Sequence, residues 1–212
     1  YGMLDESLGY IRLTRFSKNS AIEVEKAISS LQNNDLSSIV LDLRDNPGGL
    51  LNSAVSILDM FIKKDELLVW TDGKARQSNK KYFSKSDPIV SDDIQIAVLI
   101  NGGSASASEI VAGVMQDLDR GVVIGRQSFG KGLVQTVYNI DRNKALKVTT
   151  AKYYIPSGRL IQKSGYLPED ILADTTEADS LFETVGGRVV KGGNGITPDY
   201  KIEVDNRKPI LL

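Results

Sequence analysis

The 212-residue chain contains neither histidine nor cysteine. Without cysteine there can be no disulfide, and without either residue type the usual ligands of zinc and copper are missing. A serine nucleophile in this chain would also need a general base other than histidine. We therefore predict no metal and no cofactor, and we look for a lysine that could act as the base.

Strong net charge and long apolar runs are also absent. The formal net charge of −1 gives no general attraction to nucleic acid or to anionic membranes. No apolar run approaches the roughly 18–20 residues that span a bilayer, and the opening residues 1–5 lack the basic start and apolar centre of a signal peptide. We predict no nucleic-acid partner and no transmembrane segment, and a hydrophobic content of 41% suffices for one sizeable core.

Two strand–turn–helix units dominate the hydrophobic pattern. Residues 38–43 form a nearly continuous apolar run, which is typical of a strand covered on both faces, and apolar positions at helical spacing follow up to residue 62. The same order recurs between residues 94 and 118, and a short buried strand follows at 121–125. The alternation predicts an α/β fold with repeated ββα-like units.

Weaker patterns predict the remaining elements. Alternation at residues 8–16 indicates a strand, and Ser20 with Glu23 has the spacing of a capping box that opens a helix. Residues 163–195 are polar and rich in glycine, which indicates a loop-rich excursion. Further strands are predicted at 67–71, 134–140, 146–155 and 200–204.

The serine cluster at residues 104–108 lies between the second buried strand and its helix. One serine there can be explained as a helix cap, and the preceding glycines as a tight turn. Three serines at alternate positions (Ser104, Ser106 and Ser108) exceed what one cap requires. Backbone amides at a helix start also stabilise a developing oxyanion, so the cluster is a candidate for a nucleophile.

Lys131 is the candidate base. It stands between Gly130 and Gly132, which permit close approach of the backbone to another element. Its apolar neighbours Leu133 and Val134 favour a pocket that lowers the pKa of the amine, and a neutral amine can accept the proton of a serine hydroxyl. The alternative is an ordinary solvated lysine in a turn.

Residues 125–132 also have the glycine and lysine spacing of a phosphate-binding P-loop. Gly132 stands where a magnesium-binding hydroxyl is required, and a strand-like segment follows in place of a helix. Both features disfavour nucleotide binding.

Other polar residues near the predicted turns are open to two interpretations. The glycines of the turn at residues 46–49 could simply form the turn, or their amides could point at the same reaction centre. Four acidic residues could be imagined as acid–base pairs, but we interpret them as helix-terminal or solvated charges: Asp42, Asp45, Glu109 and Asp117.

Six segments together resemble the C-terminal processing peptidases, the tail-specific proteases of serine peptidase family S41. They are GYIRLTRFS, IVLDLRDNPGGLLNSAV, SASASEIVAGVMQD, GRQSFGKGLVQ, LKVTTAKYYIPSGRLIQ and GITPD, and they follow the family order across almost the whole chain. The resemblance implies a crotonase/ClpP-like spiral of ββα units with additional strands on the C-terminal side. It also implies a serine endopeptidase with a Ser/Lys dyad, which would explain the missing histidine.

The resemblance also assigns roles to individual residues. Ser106 corresponds to the nucleophile, Lys131 to the general base and Gln135 to the residue that orients this lysine. The backbone amides of Gly49 and Ala107 correspond to the oxyanion hole. In an assembled site the amine should lie about 2.6–3.2 Å from the hydroxyl, and a longer gap would indicate a resting conformation.

Domain organisation, partners and location are likewise expectations from the resemblance. We expect residues 1–212 to form the peptidase core without the PDZ domain that the family usually carries, acting on polypeptides near their C-termini in the periplasm or cell envelope. Two alternatives stay open: a catalytically silent binding or scaffold member, and an acyl-CoA enzyme of the crotonase type.

Overall fold

The computed structural model describes residues 1–163 and 180–203. Three α-helices are present in this part, α1 (Ser20–Leu31), α2 (Leu51–Leu58) and α3 (Ala107–Asp117), and Arg76–Ser78 form one turn of 3₁₀ helix. The strands are β1 (Gly2–Met3), β2 (Leu8–Arg12), β3 (Ser38–Asp42), β4 (Leu67–Asp72), β5 (Lys80–Phe83), β6 (Gln95–Ile100), β7 (Val122–Gly125), β8 (Leu133–Asn139), β9 (Ala145–Tyr154), β10 (Leu181–Glu183), β11 (Val189–Lys191) and β12 (Tyr200–Lys201).

The main sheet has the order β1-β2-β3-β6-β7-β12. The pairs from β2 to β12 are parallel, and only β1 joins antiparallel. Parallel sheets of this kind are covered on both faces, which explains the continuous apolar sequences of β3 and β6. Because the central strands run in the same direction, the turns that follow β3 and β6 meet at one edge of the sheet.

A second sheet completes the core. It has the order β5-β4-β9-β8 and is antiparallel throughout. Tyr153 and Ile155 from its C-terminal side share one hydrophobic cluster with Val111 and Val114 of α3. The β8–β9 hairpin therefore lies against the helix that the serine cluster opens. This mixed α/β architecture confirms the predicted fold class.

Several local predictions need correction. The capping box at Ser20 does not form: the Ser20 hydroxyl donates to the Arg15 carbonyl at 3.0 Å, and Asn19 precedes the helix without a side-chain cap. The predicted loop-rich excursion contains a two-stranded hairpin, β10–β11. Residues 164–179 of the predicted excursion lie outside the described residues, as does Val204 at the end of the last predicted strand.

The four acidic residues interpreted as helix-terminal or solvated charges are mostly buried. Asp45 is exposed as predicted, but Asp42 and Glu109 have no solvent exposure and Asp117 has 1%. Burial alone would raise the pKa of Asp42, but hydrogen bonds from Arg44 and the Tyr10 hydroxyl lower it on balance. Glu109 in the first turn of α3 and Asp117 at its last residue are helix-terminal as predicted, whereas Asp42 is neither helix-terminal nor solvated. The burial was not predicted, because sequence alone does not show which carboxylates find buried partners.

Asp117 forms a fully buried ion pair with Arg159. The Arg159 guanidinium donates to the Asp117 carboxylate at 2.6 Å and to the Gln116 side-chain oxygen at 2.8 Å. Ser157 adds a backbone amide to the same carboxylate at 3.0 Å. The pair thus ties the end of α3 to the loop that follows β9.

Replacing Asp117 with alanine should destabilise the fold by about 3–5 kcal/mol, because it leaves the Arg159 charge buried without a counterion. Urea denaturation followed by circular dichroism measures this loss. The exposed Asp87 provides a control, since Asp87→Ala should change stability little. Equal stability of the two variants would contradict a structural role for the pair.

Candidate active site

The serine cluster is docked onto the turn that follows β3. The Ser104 hydroxyl donates to the Leu43 carbonyl at 2.8 Å, and the Ser108 hydroxyl donates to the Asn46 carbonyl at 2.9 Å. Both serines are fully buried, whereas Ser106 between them is only partly buried. Two of the three serines are therefore structural, and Ser106 alone is left to face a cavity.

Ser106 adopts a backbone conformation that is rare for a residue with a side chain. Its φ is 56° and its ψ is −112°, immediately before the first residue of α3. Such strained conformations cost of order 1–3 kcal/mol and persist only where surrounding contacts fix them. A strained turn between a strand and a helix is also how α/β-hydrolases expose a nucleophilic serine.

The turn at residues 46–49 approaches this serine closely. A Cβ atom on Gly48 would lie 2.8 Å from the Ala107 nitrogen and 2.5 Å from the Ala105 carbonyl oxygen, so only glycine fits. Gly49 pairs with Phe16 in an isolated parallel bridge, and its φ of 148° lies in the region that favours glycine. Among the described residues, no acceptor pairs with the Gly49 or Ala107 amide, so the two predicted oxyanion donors are available to a ligand.

The buried carboxylate of Glu109 connects the two predicted catalytic segments. One oxygen accepts the Ser106 amide at 2.7 Å and the Lys131 amide at 2.8 Å. The other accepts the Gly130 amide at 2.6 Å and the Ser128 hydroxyl at 2.5 Å. Burial raises the pKa of the carboxyl on balance, although the four donors oppose this. Since each donor needs a lone pair, the contacts themselves fit the ionised form.

Tyr153 makes a second connection between the same segments. Its hydroxyl donates to the Lys131 carbonyl and lies 3.2 Å from the Ser106 carbonyl. Burial raises the pKa of this tyrosine well above its ordinary value, so the hydroxyl keeps its proton as a donor. Glu109 and Tyr153 together hold the backbone of Ser106 and of Lys131 from both the amide and the carbonyl side.

Four of the predicted site residues line one cavity of about 250 Å3. They are Gly49, Ser106, Lys131 and Gln135, and the cavity is completed by Arg15, Pro47, Gly48, Leu133 and Lys147. The predicted nucleophile and base thus face the same small space, although they lie 25 positions apart in the sequence. A larger cavity of about 840 Å3, near Arg120 and Arg188, contains none of the predicted residues.

The pKa of Lys131 is lowered, mainly by burial and next by the charge of Lys147, while Glu109 acts in the opposite direction. This agrees with the pKa predicted from its apolar neighbours. The expected hydrogen bond between Lys131 Nζ and Ser106 Oγ is not made, and Gln135 donates to neither residue within the described chain. Ser106 and Lys131 line the same cavity without this bond.

The nucleotide-binding alternative finds no support in the contacts of residues 125–132. A P-loop presents free backbone amides to phosphate. Here the Gly130 and Lys131 amides donate to the Glu109 carboxylate, and the Gly132 amide donates to the Gln162 side chain at 2.8 Å. No group of three metal-ligating side chains occurs in residues 1–163 and 180–203 either.

Sequence reasoning missed Glu109 and Tyr153, and it did not single out Arg15 or Lys147. A signal for Glu109 was present, because Ser106 and Glu109 have the spacing of a capping box. No comparable signal marks Tyr153, whose role depends on the packing of the β8–β9 hairpin against α3.

Comparison with known proteins gives a consistent result. The family model described as peptidase family S41 matches residues 7–172. A carboxy-terminal-processing protease of Bartonella bacilliformis is 44% identical over 173 residues, which cover 80% of this chain and 39% of that protein. The carboxyl-terminal-processing peptidase 3, chloroplastic, of Arabidopsis thaliana is 38% identical, with 82% of this chain and 33% of the relative covered.

A solved structure extends the likeness to three dimensions. The photosystem II D1 C-terminal processing protease superposes with a TM-score of 0.70 at 30% identity, covering 92% of this chain and 42% of that one. The chain therefore spans between about a third and two fifths of the length of these relatives.

The Glu109 carboxylate yields a test of how the site is held together. In a Glu109→Gln variant the amide NH2 would face two of the four donors, so we expect a loss of about 1–3 kcal/mol for each donor left unsatisfied. Urea denaturation measures the loss against Glu25→Gln on the exposed face of α1. If both variants were equally stable, the four contacts would not hold the two segments together.

Proposed function

Because the chain belongs to peptidase family S41, we propose that it carries a serine peptidase site with Ser106 as nucleophile and Lys131 as general base. The observation that carries the proposal is their common cavity, in which the pKa of the Lys131 amine is lowered. A chain without histidine has no imidazole to serve as the base. Lysine is the basic side chain that can lose its proton when it is buried.

The proposed reaction begins when neutral Lys131 Nζ takes the proton of Ser106 Oγ. The oxygen attacks the carbonyl carbon of the scissile bond, and the amides of Gly49 and Ala107 donate to the oxyanion. The Lys131 ammonium then protonates the leaving amine, and an acyl-enzyme remains on Ser106. Water, deprotonated by the regenerated amine, hydrolyses this ester and releases the second product.

We propose that a movement of the Lys131 side chain completes the reactive arrangement. Lysine has several rotatable bonds, and its backbone is already fixed by Glu109 and Tyr153. In the proposed reactive arrangement, rotation of this side chain brings Nζ to Ser106 Oγ. Gln135 lines the same cavity from β8, and its side-chain oxygen is suited to accept a hydrogen bond from the amine and so orient it.

Substrates and setting are proposed from the relatives. Proteins named for carboxy-terminal processing are the similar ones, so we propose polypeptide substrates cleaved near their C-termini. The periplasm or cell envelope as location, and a PDZ domain elsewhere in the whole protein, stay predictions from the family resemblance. No helix within residues 1–163 and 180–203 is both long and apolar enough for a bilayer span.

Removal of either dyad residue should abolish proteolysis. We expect Ser106→Ala and Lys131→Met to lower kcat/KM by about 10⁴-fold or more, measured on casein and on a peptide with an apolar C-terminal tail. Circular dichroism checks folding, and Lys26→Met on α1 is the control. Activity that survives in Ser106→Ala would refute the nucleophile; an inactive but folded parent chain would favour the silent binding member.

The pH dependence tests the protonation state of the base. Activity needs the neutral amine, so kcat/KM should rise with pH, with a midpoint below the ordinary lysine value of 10.5. Lys147 and Glu109 are the charged groups that act on this amine, and Arg15 lines the same cavity. Removing the Lys147 charge should raise the pKa, so Lys147→Gln should move the rising limb to higher pH, and Lys26→Gln should not. A limb that stays in place or moves down would contradict the assignment.

A further inference from the structure

All charged residues that line the cavity of Ser106 are basic. Its charged residues are Arg15, Lys131 and Lys147, and no carboxylate is among the nine lining residues. The whole chain is nearly neutral, with 26 basic and 27 acidic residues, so this separation of charge is local. If Lys131 is neutral when it acts as a base, two permanent positive charges remain at the mouth of the site.

Backbone hydrogen bonds fix the main chain of Arg15 beside the proposed oxyanion hole. Its carbonyl accepts the Ser20 hydroxyl at 3.0 Å, and the next residue, Phe16, donates its amide to the Gly48 carbonyl at 3.0 Å. Phe16 also pairs with Gly49. The Arg15 side chain is exposed, and no acidic residue of the described chain forms an ion pair with it.

Lys147 reaches the same cavity from the β8–β9 hairpin. It lies opposite Val137, and Gln135 lies opposite Thr149, so Lys147 and Gln135 are on the same face of this sheet. Lys147 is exposed and likewise has no ion-pair partner among the described residues. Its electrostatic effect on Lys131 is consistent with this placement.

From this arrangement we propose that Arg15 and Lys147 form a subsite for a carboxylate of the peptide substrate. The carboxylate is either an Asp or Glu side chain near the scissile bond or the free C-terminus of a short leaving segment. A bound peptide would take water away from both cations, and a carboxylate would compensate that loss. The inference rests on the proposed peptidase function and specifies which substrates the site prefers.

The cations could instead serve only to keep Lys131 neutral. In that case their removal would affect all substrates equally, because the pKa of the base does not depend on the peptide sequence. A subsite predicts a loss confined to anionic substrates. The ratio of kcat/KM between a charged and a neutral peptide therefore separates the two roles at any single pH.

The experiment uses four internally quenched peptides of one sequence. Two carry either Glu or Gln at the positions flanking the scissile bond, with an amidated C-terminus. The other two carry Gln at those positions and differ in a free or amidated C-terminus placed three residues after the bond. The first comparison tests the side-chain carboxylate, and the second tests the terminal carboxylate.

We expect the parent chain to prefer one anionic peptide over its neutral partner by about three- to tenfold at low salt, as for two exposed charge pairs. The preference should fall toward one in 0.5 M NaCl, because salt screens exposed charges. The Arg15→Gln/Lys147→Gln double variant should lose the preference while still cleaving the neutral peptide. The control Arg76→Gln/Lys26→Gln removes one arginine and one lysine from exposed positions elsewhere and should keep it.

Cleavage of all four peptides at equal rates, or an equal loss on all of them in the Arg15→Gln/Lys147→Gln variant, would overturn the subsite. If nothing is cleaved, the proposed peptidase function fails, and peptide binding to Ser106→Ala decides the inference separately. Fluorescence anisotropy should then show that the Glu or free-acid peptide binds more tightly than its neutral partner, and that the double substitution added to Ser106→Ala removes the difference. Equal binding of both peptides would reject the subsite.

Discussion

The site depends on one buried carboxylate that accepts hydrogen bonds from two separate segments of the chain. Glu109 holds the Ser106 amide at the start of its own helix and the Gly130 and Lys131 amides of a loop that arrives after β7. A buried carboxylate is costly unless its lone pairs are used, and all of them are used here by donors at 2.5–2.8 Å. The position of Lys131 relative to Ser106 is therefore determined by the same contacts that make burial of the charge tolerable.

The parallel sheet explains why the remaining parts of the site lie nearby. Turns that follow neighbouring parallel strands meet at the same edge, so the glycine turn after β3 touches the serine turn after β6. Contacts between these turns occupy the hydroxyls of Ser104 and Ser108 and maintain the strained conformation of Ser106. The strain and the free amides of Gly49 and Ala107 have the same cause, which is the close packing of two backbones without side chains between them.

The sequence predicts the parts of this arrangement that are governed by local pattern. Buried strands, glycine turns and the α/β class follow from hydrophobic periodicity, and the helix of Ser20 was located correctly although its cap was not. The Ser20–Glu23 spacing predicts a capping box that does not form, whereas at the same spacing Glu109 does accept the Ser106 amide. Spacing alone cannot distinguish the two cases, because the outcome depends on whether distant donors, such as the Lys131 amide, surround the glutamate.

A balance of charges around Lys131 sets its protonation state. Burial lowers the pKa of the amine, and Lys147 lowers it further, while the charge of Glu109 raises it. The carboxylate that holds the loop would favour the protonated amine if it paired with it directly. Glu109 does not pair with the amine, because its oxygens accept hydrogen bonds from backbone amides and from the Ser128 hydroxyl. Because Glu109 does not pair with the Lys131 amine, burial still lowers the pKa of this amine on balance. The charge of Lys147 lowers the pKa further.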